Sequence, residues 1–178
     1  QGIGAALLEA AWDFDQEAPR QTFSSLHPSA LPLYVRCGMT PRWPLLYLRG
    51  DPEAWPSSPF VVRDADAAEL AALEQEWIGW DRSVEYAYWS AHEGSRSLVV
   101  SDGERAVAAG CVTRTRARHT LTHLSALDAS CLFDAVTALK PFCGSDLLVS
   151  VPGHNPGLRL LLDLGWRVVD LDVYCASE

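Results

Sequence analysis

Gln1-Gly2-Ile3-Gly4-Ala5-Ala6-Leu7-Leu8-Glu9-Ala10-Ala11-Trp12 opens the chain, and the reading of this stretch decides the rest. Two glycines either side of one apolar residue run straight into strong helix formers, with no breaker before Asp13 and Asp15. Glycine carries no Cβ, so the backbone can turn sharply and approach a ligand closely. The first amides of the ensuing helix lack intrahelical acceptors and lie at the positive end of its dipole. A Gly-x-Gly leading into a helix is therefore a candidate cradle for phosphate or pyrophosphate. The same residues also suit a plain glycine turn that starts an amphipathic helix, and the motif alone does not choose between the two.

The residues beyond the first helix decide between them. A strand is expected over Gln21–Ser25, then comes His27-Pro28-Ser29-Ala30-Leu31-Pro32-Leu33-Tyr34-Val35-Arg36-Cys37-Gly38-Met39. With Ser29 as N-cap, Pro32 falls where the amide is unpaired anyway, so a helix is expected over about 30–37, ending at Gly38. The order Gly-Ile-Gly-Ala-Ala-Leu-Leu, strand, then Ala-x-x-Leu-Tyr-x-x-x-Gly-Met resembles the second half of the GNAT superfamily of acyl-CoA-dependent N-acetyltransferases. In that family a Gln/Arg-x-x-Gly-x-Gly/Ala loop holds the coenzyme A pyrophosphate. A later Asn-x-x-Ala-x-x-x-Tyr-x-x-x-Gly-Phe helix carries a tyrosine that protonates the departing thiolate. Gly2 and Gly4 match the loop, and Ala30, Tyr34 and Gly38 match the helix. His27 stands where Asn is usual, and Met39 where Phe is usual. The resemblance thus implies cofactor contacts at Gly2, Ile3, Gly4, Ala5 and His27, with Tyr34 as the acid. The Gln/Arg that opens the loop, and the strand that usually supplies the general base, would lie upstream of residue 1, so no base is assigned.

The totals set bounds. At 178 residues the chain suits one domain or one and a half. With 48% apolar and 21% charged residues it has an ordinary globular composition, and its seven tryptophans argue against disorder. A net charge of −9 disfavours nucleic acid as a partner, because no basic stripe is present to neutralise phosphates. A small anionic ligand stays open, since a local electropositive loop can sit on an acidic protein. Cys37, Cys111, Cys131, Cys143 and Cys175 are odd in number and form no Cys-x-x-Cys pair, so free thiols in a reducing, cytoplasmic compartment are expected. No apolar run approaches the ~18 residues of a membrane span, and no signal peptide is visible. The start at Gln1 rather than Met leaves the natural beginning, and any leader, open.

A first helix is expected over 2–12, a loop over Asp13–Arg20 and a closing strand over Trp43–Arg49. Gly50 to Pro59 holds three prolines and reads as an exposed linker. Beyond it Phe60–Arg63 reads as a strand, and Asp66 with Glu69 as a capping box for a helix bearing Leu70, Leu73 and Trp77. An aromatic helix comes next over Ser83–Ala91. Strands are expected over Ser97–Ser101, Ala106–Thr113 and Arg118–Leu124, the first two joined by an Asp102-Gly103 turn. Asp128 caps a helix that stops at Pro141, Asp146–Val151 is a strand, and Asn155-Pro156 starts a helix closing at Gly165. Arg167–Tyr174 alternates, with Val169, Leu171 and Val173 opposed to Asp170 and Asp172. Strand, helix, helix, three strands, helix, strand, helix, strand resembles the whole GNAT element order, and residues 1–50 its back half. The resemblance implies an α/β fold with a mixed, mostly antiparallel sheet flanked by helices. It divides the chain into 1–50 as the end of one unit, 51–59 as linker and 60–178 as a complete second unit.

The two units differ in chemistry. In the second, Leu124-Ser125-Ala126-Leu127-Asp128-Ala129-Ser130-Cys131 should hold pyrophosphate, yet it has no glycine, and Asp128 would set a carboxylate against the phosphates. Leu162 stands where Tyr34 stands in the first unit, and leucine cannot protonate a thiolate. The second unit is therefore expected to be non-catalytic. In the first, Tyr34 lies at helical spacing from Leu31 and Leu33, which also suits core packing; the family register favours the acid. A metal is not expected, because His119 and His123 on a strand would stand roughly 13 Å apart and no third ligand is evident. His154 reads as a loop or cap residue, and Tyr86-Ala87-Tyr88-Trp89 as a core helix face that could line a cleft. The expected function is acetyl transfer from acetyl-CoA to a small-molecule or peptide amine, by a protein with no nucleic-acid or membrane partner and room for homodimerisation. The alternative is a non-catalytic GNAT-like binding or structural module.

Overall fold

The computed structural model describes residues 2–14, 19–115, 118–143 and 146–177. The chain runs α1 (Ile3–Phe14), β1 (Gln21–Ser25), α2 (Ala30–Arg36), β2 (Thr40–Gly50), β3 (Val61–Asp64), α3 (Ala67–Ile78), α4 (Ser83–Ser90) and β4 (Ser95–Asp102). It continues β5 (Arg105–Arg114), β6 (His119–Ala126), α5 (Leu132–Ala138), β7 (Leu147–Pro152), α6 (Gly157–Asp163) and β8 (Arg167–Ala176). Short 3-10 turns cover Pro52–Ala54 and Lys140–Phe142. Eight strands form one mixed, mostly antiparallel sheet in the order β1-β8-β2-β7-β6-β5-β4-β3, flanked by helices. The strands on either side of residues 51–59 interleave, since β2 lies between β7 and β8.

The chain forms two compact units, one of residues 1–46, 152–154 and 170–178, the other of 47–151 and 155–169. In the first, β1 pairs antiparallel with β8, from Gln21 opposite Ala176 to Ser25 opposite Asp172. Strand alternation sends Ser24 inward, where it is buried, and Phe23 outward. Phe23 and Tyr174 meet at 5.4 Å, Tyr174 stacks on Trp43 at 4.7 Å, and Trp43 sets its edge on His154 at 4.5 Å. The loop expected over Asp13–Arg20 falls largely outside the described residues, at 15–18; α1 extends to Phe14 before it.

In the second unit, β3, β4, β5 and β6 form antiparallel pairs and β6 runs parallel to β7. Central β4 and β5 are buried along Ser97–Val100 and Val107–Val112, the near-continuous apolar run of strands covered on both faces. Leu70, Ala71 and Tyr86 pack on Val99, Ala109 and Cys111 to make the core. Asp66 caps α3 by accepting from the Glu69 amide at 2.8 Å. The return half of the box is not made: the Glu69 carboxylate pairs with Arg63 instead.

Other expectations fail as well. Residues 51–59 are not simply exposed, because Pro52 is buried and Trp55 is buried and stacked on Trp166 with ring centroids 5.5 Å apart. Lys140 Nζ also donates to the carbonyls of Glu53 at 2.9 Å and Trp55 at 3.0 Å. The clean alternation of β8 is not realised either: Val168 and Val169 are both exposed, and burial deepens only toward Cys175. Which face of a strand is covered depends on its neighbours, and these vary along β8.

Candidate functional site

The first unit holds every residue expected at the site. Gly2 starts α1: its carbonyl accepts from the Ala5 amide at 3.1 Å and the Ala6 amide at 3.3 Å. The amides of Ile3 and Gly4 therefore occupy the first helical positions, which have no intrahelical acceptor. Gly2, Ile3 and Gly4 are exposed, and a side chain at Gly2 would meet nothing within 4 Å. A Cβ added at Gly4 would lie 3.5 Å from Leu33 Cδ2, so Gly4 stands near Leu33 of α2, the helix that carries Tyr34. Tyr34 is half-buried, and its carbonyl closes the end of α2 by accepting from the Cys37 and Met39 amides, each at 3.1 Å. Gly38 comes next with φ +83°, the left-handed conformation that glycine adopts at a helix end.

His27 lies in the turn before α2. Its Nδ1 faces the Ser29 hydroxyl at 2.8 Å and the Ser29 amide at 3.3 Å, so it organises the turn before α2. Ser29 occupies the N-cap position, but its side chain makes no cap bond because it turns back to His27. Gly4 at the start of α1 thus lies near the helix of Tyr34, and one ring nitrogen of His27 faces Ser29.

In the second unit, β6 pairs with β7 only from His119 opposite Leu147 to Leu121 opposite Val149, although β6 continues to Ala126. The loop after β6 is closed by its own carboxylate. Asp128 Oδ1 accepts from the Ser130 amide at 2.7 Å, the Ser130 hydroxyl at 2.5 Å and the Cys131 amide at 3.3 Å. The Ser130 bonds hold the Asp128 carboxyl below its usual range. The amides that would have to receive a phosphate already face a negative charge. Leu162 is exposed on α6.

A polar centre that sequence reading missed lies inside this unit. Glu74, on α3, is almost wholly buried and accepts from the Tyr86 hydroxyl at 2.6 Å and pairs with His123 Nε2 at 2.9 Å. Arg82 Nε approaches its other oxygen at 3.0 Å as an ion pair, off the line of a hydrogen bond. Burial works to raise the Glu74 pKa; the bonds from His123 and Tyr86 more than reverse this and bring it to about 2. Burial, then the Glu74 carboxylate, drive the Tyr86 hydroxyl far above the ordinary phenol range. His123 stacks on Trp89 at 4.9 Å and meets Tyr86 edge-on at 5.6 Å. Ser125 Oγ also lies 3.3 Å from His123 Nε2. A relay from serine through histidine to an acid needs the two partners on opposite ring nitrogens, and here both approach the same one, so this is no nucleophilic triad. Tyr86 and His123 stand out by type in the sequence. The signal for Glu74 was its place on the helix face of Leu70 and Trp77, where a carboxylate must be paired to be tolerated. Among the described residues no three His, Cys, Asp or Glu side chains converge to hold a metal, and no helix is long and apolar enough to cross a membrane.

No protein-family model matches the sequence, and no curated protein sequence matches it. Solved structures do. A conserved protein of unknown function from Staphylococcus epidermidis superposes with a TM-score of 0.73 at 8% identity, covering 98% of this chain and 78% of that one. A GCN5-related N-acetyltransferase from Sphaerobacter thermophilus gives 0.69 at 15% identity, over 99% of this chain and 68% of its own. Another, from Anabaena variabilis, gives 0.67 at 12% identity, over 99% of this chain and 51% of its own. The chain thus spans between about half and four-fifths of the length of these proteins. At such identities the likeness concerns backbone architecture. The chain has the fold of the GCN5-related N-acetyltransferases.

Proposed function

We propose that the chain is part of an N-acyltransferase that moves an acetyl group from acetyl-CoA to the amine of a small molecule or peptide, with the chemistry in the first unit. The observation that carries this reading is the nearness of Gly4 to Leu33, which puts the first amides of α1, without an acceptor among the described residues, near the helix of Tyr34. The residues fit the cofactor: the α1 start is exposed, lacks side chains at Gly2 and Gly4, and presents amides that have no acceptor among the described residues at the positive end of a 12-residue helix. When bound, coenzyme A would supply the acyl thioester. The amides of Ile3 and Gly4 would hold its phosphate oxygens, with Gly2 and Ala5 shaping the approach. Tyr34 would hold the proton that sulfur receives as the amine nitrogen bonds to the carbonyl carbon and the carbon–sulfur bond breaks, the amine's own proton leaving to solvent. The second unit serves as a non-catalytic body, as its self-capped Asp128 loop and Leu162 suggest. Five free cysteines suit a reducing, cytoplasmic setting.

The test pairs two substitutions. Tyr34→Phe should lower turnover about 10²–10⁴-fold with coenzyme affinity unchanged, because a positioned acid acts only as sulfur departs. Gly4→Val should weaken coenzyme binding. If Tyr34→Phe leaves turnover intact and lowers thermal stability, Tyr34 is packing and the assignment fails. A second reading, a non-catalytic GNAT-like module, is favoured by the same Asp128 closure; it predicts no acetyl-CoA-dependent transfer to any amine offered.

A further inference from the structure

Where β4 begins, β5 ends and β6 begins, the second unit carries a cleft of about 580 Å³, a size that suits a small organic ligand. Its charged lining is Arg96 and Arg114, with His119 beside them, and its apolar wall is Val112, Pro141 and Phe142. Arg96 is fixed in place. Its Nε and Nη2 donate to the two oxygens of Asp64 at 3.0 and 2.6 Å, and its guanidinium lies 4.6 Å from the centre of the Phe142 ring. Asp64 offsets that charge. Arg114 makes no ion pair among the described residues, and its side chain is exposed on the rim. The Arg114 amide donates to the Gly94 carbonyl at 2.8 Å, which pins the rim. Burial pushes the Cys143 thiol up to about 12, so this lining residue adds no negative charge at neutral pH. On a chain of net charge −9, a cleft whose uncompensated charge is positive is a local reversal of field.

We propose that this cleft binds a small organic oxyanion, a carboxylate or phosphate carried on a planar apolar body, with Arg114 as the charge that holds it. Arginine presents a planar fork that matches either group in two parallel hydrogen bonds. The body of the ligand lies along Phe142, Pro141 and Val112, where burial adds affinity and the Arg96 guanidinium keeps the ring oriented. The site is separate from the proposed acyl-transfer site and does not depend on it.

The experiment titrates the 178-residue chain with benzoate, phenyl phosphate and benzyl alcohol at low salt, following backbone amide shifts. Saturable shifts at Ser95, Arg96, Arg114 and His119 are expected for the anions, and far weaker ones for the uncharged alcohol. The tighter of the two anions identifies the preferred head group. Arg114→Gln should weaken anion binding about tenfold or more, while Arg114→Lys, which keeps the charge, should lose less. Arg114 is exposed, so both variants should keep the dispersed spectrum of the folded chain. The proposal is overturned if the anions give no saturable shift up to about 10 mM, if benzyl alcohol binds as well as benzoate, or if Arg114→Gln leaves affinity unchanged.

Discussion

Replacing Glu74 by glutamine tests the buried centre of the second unit quantitatively. The carboxylate is buried and accepts a hydrogen bond from Tyr86 at 2.6 Å and pairs with His123 at 2.9 Å, which brings its pKa from the ordinary 4.5 to about 2. At about 1.4 kcal/mol for each tenfold change, that lowering corresponds to about 3 kcal/mol of stability at neutral pH. The folded value lies below the unfolded one, so the contribution is fully present above about pH 4.5 and is lost as pH falls toward 2. Glutamine has the shape of the protonated acid, so Glu74→Gln should reproduce the loss at any pH. Urea unfolding of both proteins should show the variant less stable by about 3 kcal/mol at pH 6, with the gap narrowing to about 1 kcal/mol at pH 3. A gap that stays constant across this range, or one well under 1 kcal/mol at pH 6, would refute the account of Glu74 as an ionised, hydrogen-bonded acceptor.

Other expectations concern packing. A Cβ at Gly50 would lie 2.5 Å from two ring atoms of Trp166, so Gly50→Ala should cost about 1–3 kcal/mol, read as a fall in Tm; an unchanged Tm would mean the Trp166 ring is free to move. Segment 51–59 is held by buried Trp55 and by Lys140, so limited proteolysis should spare it in the wild type and cut it faster in Lys140→Met. Early cleavage of the wild type there would restore the reading of a free linker.

Much of the architecture was legible because local chemistry and fold agreed. The strand at Gln21–Ser25, the Asp66 cap on α3, and the stop of α2 at Gly38 stem from alternation, a side-chain acceptor and a left-handed glycine, each acting over a few residues. The strand order was not legible, because nothing local in Trp43–Arg49 tells that β2 will lie between β7 and β8. The uneven burial of β8 stems from that same long-range pairing. Glu74 escaped notice for a related reason: one of its partners, His123, is 49 residues away, and a glutamate on a helix reads as surface until that partner is seen. His123 itself drew attention only as a possible metal ligand beside His119, when its significant neighbour was a carboxylate. For the candidate site, Gly2, Gly4 and Tyr34 were visible as a pattern, and the structure adds the nearness of Gly4 to Leu33. The role expected of His27 rests on register alone, and the structure adds that its Nδ1 faces Ser29.

The central claim is that the first unit, not the second, receives coenzyme A, and titration of the chain with coenzyme A followed by amide and aromatic chemical shifts tests it most directly. The account predicts saturable shifts at the Ile3, Gly4 and Ala5 amides and at the Tyr34 ring, with the Ser130 and Cys131 amides, already bonded to Asp128, unmoved. Shifts centred on Ser130 and Cys131, or a first unit left silent at saturating coenzyme, would contradict it.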